Sequence, residues 1–419
     1  MSMPAERSAA HRDSMPRPLV ILSASFALIF MGTSALQPLM VRLTNEMTAF
    51  AVLAVVYTSF MVFRLTVPWS MEALGERASI TLGAAIYAGY GVLLALTKDT
   101  WILVVGAVVW GWGAASLWTV STVHLVEVSR RFGYGAAAGF FYMMSLGGQA
   151  VGTVVLATIM GRWGDTAAIW TASGLAAAGG VLTGFLRPAA CVREKPRINE
   201  VLRATFERHA LVVGLLLLCS SLGYGVLLGP VQAAVKNILE RPWLLGFIPA
   251  AFYSTKSVMS YAGGTVSDRL GRRPVLTGGF LIGAVGLVVG ASWPWLVSAW
   301  GTAPGLAVGV ISLTFCSLAL ALQNALVPPT ATAILGDTVK SERRPLMTAA
   351  MFFWRDFGIV LGLVGGMALR ALVSQSEQLA MQAAFYGFAA VFVLCAALTF
   401  LLRETKSDVS ADSEHSANR

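Results

Sequence analysis

Charge is what the chain has least of. Of its 419 residues only 12 % are Asp, Glu, Lys or Arg, about half the share of an ordinary water-soluble domain. Disordered chains carry far more charge and fewer apolar groups, and a water-soluble enzyme of this length is excluded on the same ground. Cysteine is scarce as well. Cys191 falls in a polar gap, Cys219, Cys316 and Cys395 lie inside apolar runs, and no CxxC pair exists. The four histidines (His11, His124, His209 and His415) are scattered, and GxSxG, HExxH and GxxxxGK are all missing. Nucleophilic, zinc-peptidase and nucleotide-driven chemistry have no foothold here. The chain reads as a non-enzyme with no cofactor and no metal site.

Apolar length is what it has in abundance. Hydrophobic residues make up 56 % of the sequence, and mean hydropathy is +0.71. Leu19–Met40, Ala210–Val235 and Val275–Trp293 each run uncharged for the 18 or so residues that cross a bilayer. Twelve candidate spans follow, at approximately 18–41, 49–70, 79–97, 101–126, 135–160, 167–186, 209–235, 243–266, 275–293, 304–334, 347–369 and 380–402. Runs this long and uniformly apolar are helical, because helices satisfy their own backbone groups in lipid. The expected fold is an all-α membrane protein of twelve transmembrane helices. The first span is long for a cleavable signal and lacks a small-residue cleavage site, so none is expected.

The net charge of +9 has a topological explanation. With the N-terminus placed in the cytoplasm, 21 Lys and Arg fall on the cytoplasmic side and six opposite. That bias predicts both termini cytoplasmic and leaves no basic face for nucleic acid; the membrane is expected to be a bacterial inner membrane. The expected organisation is a tail at 1–17, a six-helix bundle at 18–186, a linker at 187–208, a second bundle at 209–402 and a disordered tail at 403–419. Within the linker, Ile198, Val201, Leu202, Thr205 and Phe206 have helical spacing, which predicts a short amphipathic helix on the membrane surface.

The most specific segment is Gly264-Thr-Val-Ser-Asp268-Arg269-Leu-Gly271-Arg272-Arg273, between spans 8 and 9. Gly271 permits a tight turn, Asp268 suits a helix N-terminus, and the arginines anchor a cytoplasmic loop. A decayed counterpart, Pro68-Trp-Ser-Met-Glu72-Ala-Leu-Gly75-Glu76-Arg77, lies between spans 2 and 3, with Gly75 196 residues before Gly271. Equivalent loops half a chain apart imply two related six-helix halves, the architecture of transporters.

The loop resembles that of the major facilitator superfamily. The resemblance implies two pseudo-symmetric bundles rocking about a midplane site, with this loop and the end of span 11 as a state-dependent latch. In the first half Ala73 and Glu76 stand where basic residues belong, so a weaker latch is expected there. Span 4 keeps Gly111, Gly113 and Ala115 but has Ala107 and Trp110 where proton-coupled members carry Arg and Gln. Span 5 keeps Gly147, Gly148 and Gly152 without the drug antiporters' proline. An ordinary proton-driven drug exporter is therefore disfavoured. Gly83-Ala-Ala-Ile-Tyr87 and Gly111-Trp-Gly113-Ala-Ala-Ser-Leu-Trp118-Thr119 look like the UNC93-like branch, some members of which regulate other membrane proteins. Phe353-Trp354-Arg355-Asp356-Phe357-Gly358 is similar to a segment of magnetosome-associated members proposed to move iron, with Ile359 in place of a tyrosine.

Ionisable groups within spans are expensive in lipid and stand as functional candidates. Lys256, near the middle of span 8, is expected to attract an anionic solute or to pair with a carboxylate. Arg64 in span 2 is expected to reach headgroups or Glu72. Arg355 and Asp356 point about 100° apart, so at most one faces a cavity. Asp356 is the candidate proton carrier, or else the pair ties span 11 to the latch. Glu127 is expected to pair with Arg130 and Arg131 at its own helix end, and His124, one turn inward, is a second candidate for proton coupling. Gln37, Gln149, Gln323 and Asn324 should face the interior. Tyr57, Trp110, Trp118, Tyr142, Tyr224 and Trp354 either line a pocket or pack. The leading expectation is a secondary transporter of a small solute, an organic anion or a metal chelate, driven by an ion gradient such as protons. A non-transporting membrane regulator is the rival class, and a metal transporter the lesser alternative.

Overall fold

The computed structural model describes residues 15–34, 36–44, 46–130, 132–188, 197–226, 242–292, 295, 302–372 and 377–405. All regular structure among them is helical. In chain order the helices are α1 (Arg17–Thr33), α2 (Leu36–Leu43), α3 (Glu46–Arg64), α4 (Val67–Leu74), α5 (Glu76–Leu96), α6 (Thr100–Val128) and α7 (Tyr134–Thr183). After them come α8 (Ile198–Thr205), α9 (Arg208–Val226), α10 (Pro242–Leu270), α11 (Arg272–Ala291), α12 (Thr302–Thr338), α13 (Arg344–Leu372) and α14 (Glu377–Leu398).

Local sequence explains where these helices break. The first expected span divides after Thr33, because Pro38 has no N–H to give the carbonyl of Ser34. The second bends by 70° between α3 and α4, where Pro68 enters the first turn of the new helix. Gly164, at φ 84°, kinks the 50-residue α7 at the boundary expected between spans 5 and 6. Asp99 caps α6 by accepting from the backbone N–H groups of Trp101 and Ile102. Six helices among the described residues are long and apolar enough to cross a membrane alone, or seven with the bent α3–α4 pair. Residues 227–235 of the seventh expected span lie outside the described residues, as do Cys191 and the tail from 406 onward.

The apolar interior forms two separate cores. One runs from Leu19 to Leu186, and the other from Val201 to Leu402, joined by Val126 of α6. The helix pairing repeats between them. In the first half α1 packs along α7, α6 against α3 and α5, and α5 against α7. In the second, α9 packs along α13, α12 against α10 and α11, and α11 against α14. The halves meet chiefly where α7 runs beside α10 and α3 beside α13.

Small residues set the closest approaches. A Cβ on Gly148 of α7 would collide with the Ala27 backbone of α1, its Cα at 2.7 Å among the atoms struck. Gly148→Leu is expected to destabilise the first half by about 1–3 kcal/mol, read as an earlier thermal unfolding transition of the purified protein. A wild-type transition would remove this contact from the packing account.

Two expectations change here. The linker helix α8 forms, but its apolar residues divide between two faces. Val201, Ala204 and Thr205 are buried, while Ile198, Leu202 and Phe206 stay exposed. The C-terminal segment is ordered through Thr405, because Glu404 accepts from the backbone N–H groups of Arg272 (2.6 Å) and Arg273 (3.3 Å). It thereby caps the N-terminus of α11.

Candidate functional site

Between the two cores lies a cavity of about 230 Å³. The first half supplies Tyr57, Trp118 and Gln149 to its wall, and the second supplies Lys256, Asn324 and Arg355. No aspartate or glutamate is among the described residues lining it. Asn324 is fixed on α12 by donating to the carbonyl (2.9 Å) and hydroxyl (3.1 Å) of Ser220 on α9. Lys256 projects from α10, its ammonium 5.7 Å from the ring centre of Phe252.

Beside this cavity sits a buried charge cluster built from both halves. Arg64, the last residue of α3, donates through Nε to Asp356 of α13 at 2.5 Å and through Nη1 to Thr119 of α6 at 2.9 Å. Arg355 donates to the other carboxylate oxygen of Asp356 through Nε (2.9 Å) and Nη2 (2.7 Å). Arg64 and Asp356 are fully buried, whereas Arg355 keeps 12 % of its side chain exposed, toward the cavity. The Arg64 guanidinium lies 4.6 Å from the Phe60 ring centre, and that of Arg355 lies 5.5 Å from the Trp118 ring centre. These ring faces favour cations where water is excluded.

The cluster corrects two expectations. Arg64 reaches neither headgroups nor Glu72, since its partner lies across the interface between the halves. The Arg355–Asp356 pair ties α13 to α3 and not to the loop before α11.

Other candidates also find definite places. Trp110 and Tyr142 join Tyr57 and Trp118 in the cavity wall. Trp354 does not, because its indole N–H donates to the Thr205 carbonyl of α8 at 3.0 Å. Gln323 is buried but turned toward α11, with its side chain against Gly283. The side chains of Gln37 and Tyr224 lie outside the described residues. Tyr253 and Tyr87 line the cavity as well. The sequence reading missed both, since nothing in their spacing separates them from packing aromatics.

At one end of the bundle, where a latch was expected, the loops form a hydrogen-bonded network across the halves. Gly271, at φ 101°, turns the chain between α10 and α11. This presents Asp268 to the N-terminus of α7, where its carboxylate accepts from Gly135 (3.0 Å) and Ala136 (2.7 Å). Arg272 holds Asp268 at 2.6 Å and Asp337 of α12 at 2.9 Å. Gly264 is required by close approach, since a Cβ there would strike the Gly135 carbonyl and come within 3.0 Å of the Gly139 Cα. Arg273 stacks 4.0 Å from the Phe400 ring centre, and Arg269 is exposed.

The end of the eleventh expected span engages α6 and α7, not this loop. Arg344 pairs with Glu127 at 3.0 Å and donates to the Tyr134 hydroxyl at 3.3 Å, while Ser341 donates to Glu127 at 2.5 Å. Glu127 thus bridges the halves; of the partners expected at its own helix end, Arg131 lies outside the described residues. The first-half loop makes a different contact. Gly75, at φ 81°, makes the equivalent turn, but Glu76 accepts a buried hydrogen bond from His124 of α6, in the same half. Glu72 and Arg77 are exposed.

The comparisons with known proteins agree with this geometry. Residues 213–418 match the Major Facilitator Superfamily model, and residues 44–185 match the model of the ion channel regulatory protein UNC-93. No curated protein matches the chain significantly. Among solved structures, the chain is similar to the E. coli fucose:proton symporter at TM-score 0.67 and 14 % identity, covering 91 % of this chain and 98 % of that one. A proton:xylose symporter bound to 6-bromo-6-deoxy-D-glucose gives TM-score 0.69 and 14 % identity, covering 93 % and 96 %. A bacterial homologue of the iron transporter ferroportin, in an outward-facing state, gives 0.70 and 12 %, covering 92 % and 98 %. At these identities the likeness is one of fold.

Proposed function

Because the chain is a major facilitator superfamily protein, a multi-pass membrane transporter by family and fold, we propose that it moves a small anionic solute by alternating access. The repeated helix pairing is read as two six-helix bundles within a twelve-span topology, with the latch end and both termini in the cytoplasm of a bacterial inner membrane. The observation that carries the solute class is the cavity wall: Lys256 and Arg355 face the space, and no carboxylate does among the described residues. An organic anion fits that wall. A metal fits only inside an anionic chelate, since a bare divalent cation would meet two positive side chains in a low dielectric. Among the described residues no three of His, Cys, Asp and Glu converge on a point.

With no nucleotide-binding motif in the sequence, uphill movement draws on an ion gradient. Protons are the first candidate, since two of the fold relatives are proton symporters. Asp356, His124 and Glu127 are the groups to test for coupling. Protonating Asp356 would displace a guanidinium N–H from one of its oxygens, so coupling through it requires the cluster to open.

Reconstitution into proteoliposomes with a panel of organic anions and chelates tests the reading. Flux is expected for at least one solute, and Lys256→Ala is expected to lower it at least tenfold with Lys256→Arg partly restoring it. Wild-type flux in both variants would remove Lys256 from the pathway. The UNC-93 match over residues 44–185 motivates the rival, a regulator that binds another membrane protein. Absence of flux across the panel together with a stably co-purifying membrane partner favours that reading.

A further inference from the structure

We propose that Asp356 is an internal stand-in for the solute's carboxylate, occupying Arg355 in the empty state, and that the solute class is a flat aromatic or heteroaromatic monocarboxylate. The inference rests on the transport reading for its biological purpose, but its binding chemistry stands on the geometry alone.

Three observations carry it. First, the charges do not balance. Arg64 and Arg355 share Asp356, the one carboxylate in contact with them among the described residues, and Lys256 faces the cavity beside them. A ligand bearing one negative charge offsets part of that excess. Second, donor-only groups here have unused capacity, beside the Tyr142 hydroxyl, which can donate or accept and also lacks a partner among the described residues. The Trp110 indole N–H, in the cavity wall, is buried without an acceptor among the described residues. The bonds of Arg355 run from Nε and Nη2, and none runs from Nη1. Arg and Trp cannot accept a hydrogen bond, so their complement is an acceptor-only group, which an ionised carboxylate is. Third, ring faces surround this donor set. Trp118 and Tyr142 stack at 6.0 Å with 25° between planes, and Tyr90 stacks on Trp110 at 4.4 Å. A planar body would slot against Trp118 and Tyr142, which line the cavity.

The difference between the two arginines gives the exchange its direction. Arg64 is sealed from the cavity and holds Asp356 through its own oxygen, Oδ2. Arg355 holds the other oxygen and reaches the cavity. An entering carboxylate takes the Arg355 fork and leaves Asp356 to Arg64, with Lys256 contacting the same ligand from α10. The displaced bonds lie within α13, so ligand entry leaves the Arg64–Asp356 pair as the link between α3 and α13.

The test is calorimetric titration of the full-length protein in nanodiscs with benzoate and indole-3-acetate, against benzamide and benzylamine as neutral and cationic controls. Saturable binding is expected for the carboxylates alone. Arg355→Ala and Lys256→Gln should each weaken it at least tenfold. Arg355→Lys, which keeps the charge but loses the fork, should fall between. Asp356→Asn, lacking the competing charge, should bind the carboxylates at least threefold more tightly. Should Arg355→Ala fail to fold, the Arg355→Lys and Asp356→Asn pair carries the test. No binding by either carboxylate, equal binding of benzamide, or weaker binding in Asp356→Asn overturns the inference. Flux of another solute that benzoate does not inhibit would sink this inference and leave transport standing. Carboxylate binding without any flux would do the reverse.

Discussion

Asp356→Ala is expected to be the most destabilising single substitution in the protein. Its carboxylate accepts from Arg64 at 2.5 Å and from Arg355 at 2.7 and 2.9 Å while fully buried. Removing it strands the Arg64 guanidinium in a sealed interior and leaves Arg355 to the cavity alone. Breaking one buried pair costs about 3–5 kcal/mol, and here two cations lose their partner at once. Arg64→Ala should cost less, because Asp356 keeps both bonds to Arg355. Replacing Arg64 by Met and Asp356 by Leu together should recover much of the loss, since a neutral pair leaves only Arg355 to accommodate, and that side chain already reaches the cavity. Thermal unfolding of detergent-purified variants orders the three. An Asp356→Ala protein as stable as Arg64→Ala would mean that Asp356 is not the hub of the cluster.

That cluster also marks the limit of what the sequence could say. The helical, apolar character of the chain and the turn in the Gly264–Arg273 loop were legible because each is local. A run of apolar residues, a glycine at a turn and a basic cluster carry their meaning within a few positions. Lys256 was legible too, as a charge far from either end of its helix. The Arg64–Asp356 pair joins positions 292 residues apart, and no spacing rule relates them. Arg64 ends α3 just before a 70° bend, so a reading that ran its span straight on to residue 70 put its side chain near the surface. Glu127 failed in the same way. Its near neighbours Arg130 and Arg131 were the expected partners, of which Arg131 lies outside the described residues, and only the fold brings Arg344 to it. The aromatics were half legible: the chemistry of Tyr57, Trp118 and Trp354 is alike, and which of them meets the cavity is decided by helix rotation.

The latch is where a modest chemical change should have the second large effect. The two loops are asymmetric. The second-half loop sends Asp268 across to the α7 N-terminus, whereas the first-half loop spends Glu76 on His124 within its own half. Resistance to opening at this end therefore rests on Asp268, with the Glu127–Arg344 pair beside it. Asp268→Asn keeps one carbonyl acceptor but loses the charge that complements the α7 N-terminus and holds Arg272. A loss of about 2 kcal/mol, within the range for hydrogen bonds to charged groups, changes the ratio of closed to open states roughly thirtyfold. Gly264→Val should act in the same direction by sterics, since any Cβ there strikes the Gly135 carbonyl. Spin labels at Arg77 and Lys340, both exposed and on opposite halves at this end, report the separation by pulsed electron resonance. Wild type is expected to give a single short distance, and each variant a second, longer population. If both variants keep the single short distance, closure of this end is held by other contacts, and the Glu127–Arg344 bridge becomes the one to break next.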